Sequence, residues 1–392
     1  IYLYYTFVTG INPAFMRKIL FLLMMLSAID GFAQEDTLFR RNSFIPLPVF
    51  GYSPEKGFEF GAGLYYSFFT DKADPIPRTR NSTVRVSGTF STENQYKLDL
   101  KADIWTPGNN WHFQPQVRYH DSPFNFYGLG DTSLNSLRSR VNNVQYKVSL
   151  IVERQLLRNF YGGISFLYQK DEFSSRDNQG IYPEIPLVDK TGGHATFLGI
   201  SAVYDNRDNQ NYTRFGGLLR LGVNYTPPVW SKREITTITL DGRYFWTLSP
   251  KLTVGANTVY STLQGEKRPF YFLPSMGSDQ IMRGYQGGRY RDQSFFAAQT
   301  ELRYFIDPGF RIRLPFLDDT PTFALAVFGG GGSVFRNGNV DPGRLKPNYG
   351  LGIRYFYDEV SRLTLRLDYG WGEQRAGEPR QGALYLSVGE AF

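Results

Sequence analysis

The residue with the most demanding chemistry in this sequence is Arg283, set in the stretch Met282-Arg283-Gly284-Tyr285-Gln286-Gly287-Gly288. A guanidinium is charged at any physiological pH, and inside a folded interior it needs carboxylate partners. Glu301 and Asp368 are the acids whose strand parity aims them inward, and Glu301 is expected to carry the larger share of the pairing. The rest of the reactive inventory is thin. Cysteine is absent, which removes disulfides, thiolate metal sites and thiol nucleophiles together. The three histidines, His112, His120 and His194, are too few for a histidine-based metal centre. His194 follows Gly192 and Gly193 with no serine motif nearby, and His112 and His120 fall on one strand without an evident partner. No Gly-x-Ser-x-Gly occurs, and the run Gly329 to Gly332 lacks the Lys and Ser/Thr of a phosphate loop. No catalytic residue, metal or cofactor is therefore expected.

The elements that must position Arg283 are strands. The 392 residues include 33 Phe, 27 Tyr, 5 Trp and 40 Gly, and no run of 18 apolar residues that could form a membrane helix. Alternation is clean: Tyr96, Leu98, Leu100, Ala102 and Ile104 oppose Lys97, Asp99, Lys101 and Asp103. The same holds for 144–153, for 363–371, and for the last segment, where Leu384, Leu386, Val388 and Phe392 oppose Tyr385, Ser387 and Gly389. One apolar and one polar face on strand after strand, with no amphipathic helix, is the pattern of a transmembrane β-barrel. A secreted soluble sandwich or solenoid is the alternative. Ahead of the strands, Arg17 and Lys18 precede the apolar core Ile19 to Ile29, and Gly31-Phe32-Ala33 supplies small residues for cleavage. Residues 16–33 read as a signal peptide, 1–15 as an over-extended upstream segment, 34–44 as a short periplasmic stub and 45–392 as the barrel.

Dividing the chain at Gly/Pro/Asn/Asp clusters predicts an all-β, 16-stranded antiparallel transmembrane β-barrel. The strands lie near 45–52, 57–69, 81–92, 95–105, 111–120, 141–154, 159–173, 194–206, 215–227, 234–247, 251–264, 295–306, 322–332, 346–357, 362–371 and 382–392. An even count puts both ends on the periplasmic side. The long connections 121–140, 174–193 and 265–294 then all follow odd-numbered strands and share the outer surface. The connection 307–321 is long for a periplasmic turn.

Arg283 sits between the eleventh and twelfth of these strands, and there the chain resembles the BamA/TamA family of outer-membrane assembly and translocation barrels, which includes the two-partner secretion transporters. Tyr204-Asp205-Asn206-Arg207-Asp208-Asn209 with Thr213-Arg214-Phe215-Gly216 is similar to the family's turn between strands eight and nine. Phe126-Tyr127-Gly128-Leu129-Gly130, Glu301-Leu302-Arg303, Leu365 to Gly370 and the terminal Phe392, the family's C-terminal assembly signal, resemble further family stretches. The resemblance covers about 45–392. It implies that the Arg283-Gly284-Tyr285 loop folds back into the lumen as a brace. It also implies an Asp on the thirteenth strand, and Gly330 stands there instead. Members usually carry periplasmic POTRA domains, for which 34–44 is too short, so a barrel-only branch is expected.

A barrel closes by pairing its first and last strands. Pro46 and Pro48 lack N–H donors on the same side of the first strand, and Gly389 is expected to weaken the last. The resemblance implies that such a weak seam serves as a lateral gate into the bilayer. The expected function is insertion or translocation of polypeptide, or lipid, through the lumen or seam of a bacterial outer-membrane protein. A passive pore is the alternative, because Lys97, Asp99, Lys101 and Asp103 also suit a wet channel; an outer-membrane enzyme is the third reading. Expected partners are the lipid bilayer and lipopolysaccharide, the outer-membrane assembly machinery for its own insertion, client polypeptides or a periplasmic partner, and a second copy of the chain. The net charge of +7 is dispersed with no Lys/Arg block, so nucleic acid is not among them.

Overall fold

The computed structural model describes residues 42–53, 57–71, 79–176, 178–307, 309, 312–314, 317–319, 321–336, 344–358 and 361–392. The expected signal peptide, the upstream segment and most of the stub lie outside the described residues. Sixteen long strands follow one another: β1 (Ser43–Ser53), β2 (Gly57–Phe68), β3 (Ser82–Ser91), β4 (Tyr96–Trp105), β5 (Trp111–Asp121), β6 (Ser139–Leu157), β7 (Phe160–Ser175), β8 (Gly192–Asp205), β9 (Gly216–Thr226), β10 (Ile235–Ser249), β11 (Leu252–Gln264), β12 (Ser294–Ile306), β13 (Phe323–Phe335), β14 (Lys346–Asp358), β15 (Leu363–Trp371) and β16 (Gly382–Val388). Each pairs antiparallel with the next, from Ser43↔Ser67 between β1 and β2 to Leu365↔Val388 between β15 and β16. Among the described residues no helix is long and apolar enough to cross a membrane; crossing falls to the strands.

Side-chain parity follows the two solvents. Tyr96, Leu98 and Leu100 on β4, Tyr146, Val148 and Leu150 on β6, and Leu384 and Leu386 on β16 stay exposed on the outer face, where hydrocarbon would cover them. Their neighbours point into the lumen. The ends of the sheet also meet. Ile45 and Leu47 of β1 pack in one cluster with Tyr65, Leu363 and Val388.

Three long connections lie at one end, as the strand parity requires. Phe126 from 122–138, Tyr182 from 176–191, and Phe270 and Leu273 from 265–293 share one apolar core with Val141, Phe173 and Phe197. A short strand, Phe124–Phe126, extends the sheet by pairing with Val141 to Ser139. Alternation could not reveal it, because it spans three residues inside a loop.

The connection 307–322 falls outside the unit that holds the sixteen long strands, and it contains a hairpin, Ile312–Leu314 with Leu317–Asp319.

The carboxyl end departs from expectation. β16 stops at Val388, and Gly389 lies beyond it with φ of +83°. That left-handed backbone ends β geometry, so Gly389 acts as a turn and not as a weak point within the strand. It turns Phe392 off the outward apolar row and into the lumen, where Phe392 is buried and stacks on Phe245 with centroids 5.9 Å apart.

Candidate functional site: the braced lumen and the seam

The loop 265–293 enters the lumen along the β12–β15 wall. Gly284 has φ of +111°, and a Cβ there would collide with the backbone of Gly370 and Trp371. On the wall side, a Cβ at Gly370 would meet the backbone of Arg283 and Gly284. Two glycines thus let two backbones touch, and the touch fixes where Arg283 reaches. The Gly284 N–H donates to the Tyr385 hydroxyl at 3.0 Å. The Tyr285 hydroxyl donates to the Pro347 carbonyl at 2.7 Å and accepts the Glu373 N–H at 2.8 Å. Burial pushes the Tyr285 hydroxyl above the usual tyrosine range, so it keeps the proton it donates.

Arg283 is fully buried. Its Nη1 donates to Asp368 Oδ2 at 2.5 Å and its Nη2 to Glu301 Oε2 at 2.6 Å. The Phe328 ring lies under the guanidinium, with Cζ 3.5 Å from the ring centroid. Arg283 is therefore shared between two acids, where a dominant role for Glu301 was expected.

Arg283 belongs to a network that sequence parity did not show in full. Glu301 Oε1 accepts from Arg303 Nε at 2.8 Å and Arg354 Nη2 at 3.0 Å. Asp368 accepts from Arg354 Nη1 at 2.5 Å and Arg366 Nη1 at 2.8 Å. Glu390 pairs with Arg354 at 3.2 Å, and Asp279 of the loop pairs with Arg366 at 3.2 Å. Four arginines thus meet four carboxylates, almost all out of solvent. Gly330 does not leave a hole: Asp368, reached from β15, supplies a second carboxylate from the other side of Phe328. A Cβ at Gly330 would collide with the Ala298 carbonyl and Gln299 Cα, and one at Gly332 with Ala297, the Phe296 carbonyl and the Met282 sulfur of the loop.

A second buried arginine of the same loop was missed. Arg289 donates to Ser133 Oγ at 3.1 Å and to the Ser133 carbonyl at 3.0 Å, and pairs with Glu378 at 3.5 Å. Its Cζ lies 4.6 Å from the Tyr127 ring centroid and 4.2 Å from that of Tyr290. Tyr290 in turn bonds Glu373. Arg289 ties three connections, 122–138, 265–293 and 372–381, into one cap. The signal was present in the sequence: Arg289-Tyr290 repeats, six residues on, the cation-then-aromatic order of Arg283 and Tyr285.

The opposite end is closed by the turn 206–215. Asp205 holds its base through Arg80 at 2.5 Å and Arg207 at 2.8 Å. Asp208 accepts the Arg214 N–H at 2.9 Å and pairs with Arg362 at 2.6 Å. Tyr212 packs across the lumen on Phe356, with centroids 4.8 Å apart. Between this turn and the β3–β10 wall lies a cavity of about 340 Å³. His112, for which no partner was evident, sits at its wall. Its Nδ1 is 2.9 Å from Glu153 Oε2 and its Nε2 is 3.1 Å from Asp103 Oδ1. His120 lies 2.7 Å from Asp99. These acids stand on neighbouring strands at matching parity. Among the described residues no group of His, Asp and Glu side chains is arranged to hold a metal ion.

At the seam, the registers report which way each proline nitrogen points. Pro115 on β5 is a calibration. The β5–β6 register runs unbroken through Pro115↔Leu150, while the β4–β5 register skips the residues opposite it, from Lys101↔Gln116 to Ile104↔Phe113. A proline breaks only the ladder its nitrogen faces. The β1–β2 register is unbroken through Pro46↔Leu64 and Pro48↔Ala62. Both nitrogens therefore face away from β2, toward the seam. Among the described residues no ladder joins β1 to β16; Ile45 and Leu47 of β1 share one apolar cluster with Leu363 of β15 and Val388 of β16.

A family model described as the Omp85 superfamily domain matches residues 78–392. No curated protein matches the chain. Among solved structures, BamA from Haemophilus ducreyi lacking POTRA domains 1–3 is 14% identical with a TM-score of 0.54, covering 89% of this chain and 70% of its own. CdiB from Escherichia coli is 11% identical with a TM-score of 0.55, covering 88% and 62%. CdiB from Acinetobacter baumannii is 12% identical with a TM-score of 0.51, covering 88% and 59%. The chain thus spans about three fifths of the length of the CdiB chains it matches. Sixteen consecutive antiparallel strands and the family match together make this chain a bacterial outer-membrane β-barrel that belongs to the Omp85 superfamily.

Proposed function

We propose that the barrel inserts or translocates polypeptide, or lipid, by parting the seam between β1 and β16, while the Arg283 loop braces the wall on the β16 side of that seam, from β12 to β16. The observation that carries this reading is the direction of Pro46 and Pro48. Two donors are missing from the seam side of β1, each hydrogen bond of that kind contributing roughly 0.5–1.5 kcal/mol. A seam held by side-chain packing opens at lower cost than any ladder in the remaining wall. An edge strand with free carbonyls also offers a template to an incoming strand. The network around Arg283 suits a brace, since four cations and four anions, all but Asp279 buried, resist partial rearrangement.

The partners that follow are a client polypeptide in extended form, the surrounding lipid and lipopolysaccharide, and the assembly machinery that inserts this barrel itself. A non-catalytic role is part of the proposal. Both ring nitrogens of His112 face carboxylates, and the Ser201 hydroxyl donates to Glu153 at 3.1 Å and not to a histidine. Replacing both prolines by valine tests the reading. Restored donors should tighten the seam and slow insertion of a nascent barrel polypeptide into liposomes. Unchanged insertion by a correctly folded P46V/P48V protein would sink it.

A further inference from the structure

The interior is unequal. Along β12–β15 it is filled by the loop and its neutralised arginines. Along β3–β6 it is wet and carries uncompensated positive charge. Arg85 and Lys101 point into the lumen yet remain solvent-exposed. They stand directly opposite each other across β3 and β4, at Arg85↔Lys101. Arg118 and Lys147 stand directly opposite across β5 and β6, at Arg118↔Lys147. Like charges in facing cross-strand positions destabilise a sheet.

The acids of this wall are already engaged, Asp99 by Arg118 of the cluster itself at 3.1 Å. Asp99 accepts from Arg118, Gln116 and His120. Glu59 pairs with Lys97 at 2.7 Å. Asp103 is held by His112, Gln114 and Trp105, and Asp171 by Gln145 and Gln169. Among the described residues Arg85, Lys101 and Lys147 have no carboxylate within ion-pair distance.

We propose that Arg85, Lys101, Arg118 and Lys147 form a binding site in the lumen for a multiply charged phosphate group. The site rests on the pattern of charge and register and is independent of the seam. One carboxylate would leave most of this charge uncompensated. A phosphate or diphosphate brings several charges and several acceptor oxygens to donors on four adjacent strands, which suits two lysines as point charges and two arginines as forked donors. Such a cluster on a wet barrel wall is also how anion and phosphate pores select their cargo. The group could be soluble or the headgroup of a lipid, and the test separates these.

The full-length barrel in neutral detergent is titrated with inorganic pyrophosphate at constant ionic strength, or with phosphatidic acid, a phosphomonoester lipid, doped into the micelles, and Tm is read by heat-dependent gel mobility. Preferential binding to the folded state raises Tm saturably. Wild type should gain a few degrees, K101Q/K147Q should gain nothing, and K101R/K147R should regain the response. Without ligand, K101Q/K147Q should melt no lower than wild type, because it relieves repulsion. A response to pyrophosphate identifies a soluble phosphate; a response to phosphatidic acid alone identifies a lipid headgroup. No response in wild type, or an equal response in K101Q/K147Q, overturns the proposal.

Discussion

Removing one charge from the Arg283 network is the sharpest perturbation available. Glu301→Gln keeps the side chain's shape and one acceptor oxygen but deletes the anion that Arg283, Arg303 and Arg354 share. Four arginines then face three carboxylates in a cluster where Arg283, Arg303 and Arg354 have no solvent exposure. Breaking a buried pair from one side costs about 3–5 kcal/mol, because the stranded cation cannot reach water. The wall is held by ladders on both sides of β12, whereas the loop tip is held by the network, so the loop should yield first. At about 1.4 kcal/mol per factor of ten, its open population should rise by roughly 10²–10³. Trypsin reads this directly. Arg283 and Arg289 are 0% exposed, so neither is a substrate while the loop is seated. Mass mapping of brief digests should show cleavage after Arg283 in E301Q and none in wild type. The double variant R283Q/E301Q restores three against three, and its loss, read across the cycle as cleavage after Arg289 because R283Q removes its own tryptic site, should fall short of the summed single losses by about 0.5–3 kcal/mol. Unchanged cleavage in E301Q, or full additivity in the cycle, would refute the brace.

Other outcomes follow from the same geometry. Gly284→Ala should unseat the loop by at least about 1–3 kcal/mol, from backbone strain at φ of +111° and the clash with Trp371, again read as new cleavage after Arg283. Arg289→Gln should loosen the cap but spare the brace: proteolysis within 122–138 and 372–381 should rise while the bond after Arg283 stays protected. Deleting 280–290 should convert small, flickering conductance in planar bilayers to a larger steady one, whereas a passive porin would conduct steadily without the deletion. Phe392→Ala should lower barrel stability by about 3–5 kcal/mol, because the ring is buried against Phe245 in place of an outward, lipid-facing position.

The strands were legible because two solvents enforce period two on each of them. All sixteen appear near their predicted positions; β6, predicted as 141–154, runs on to Ser139–Leu157, and β16, predicted as 382–392, stops at Val388. The Arg283–Glu301–Asp368 meeting was open to parity and charge reasoning, since both acids share the lumen face. Its further members were not. Arg354 and Arg366 read as ordinary strand cations until register sets Gly352 opposite Asp368 and brings the rows together. The meeting of Arg289 with Ser133, as distinct from the cation-then-aromatic order at Arg289, was illegible for a related reason. They lie in loops 156 residues apart, where no periodicity constrains which residues meet. The turn at Gly389 was misread because alternation alone cannot tell a strand residue from a glycine with positive φ just beyond it. Proline direction at the seam needed the registers on both sides of a strand, and Pro115 supplied the comparison.

Opening of the seam is the central claim, and the cysteine-free chain makes it testable in one step. Cysteines at Leu47 and Val388, which pack in the same cluster, would bridge β1 to β16. Insertion of a nascent barrel polypeptide into liposomes is then measured with the bridge oxidised and again after reduction. The account predicts insertion lost in the bridged protein and recovered on reduction; full insertion by protein shown by mass to be completely bridged would contradict it.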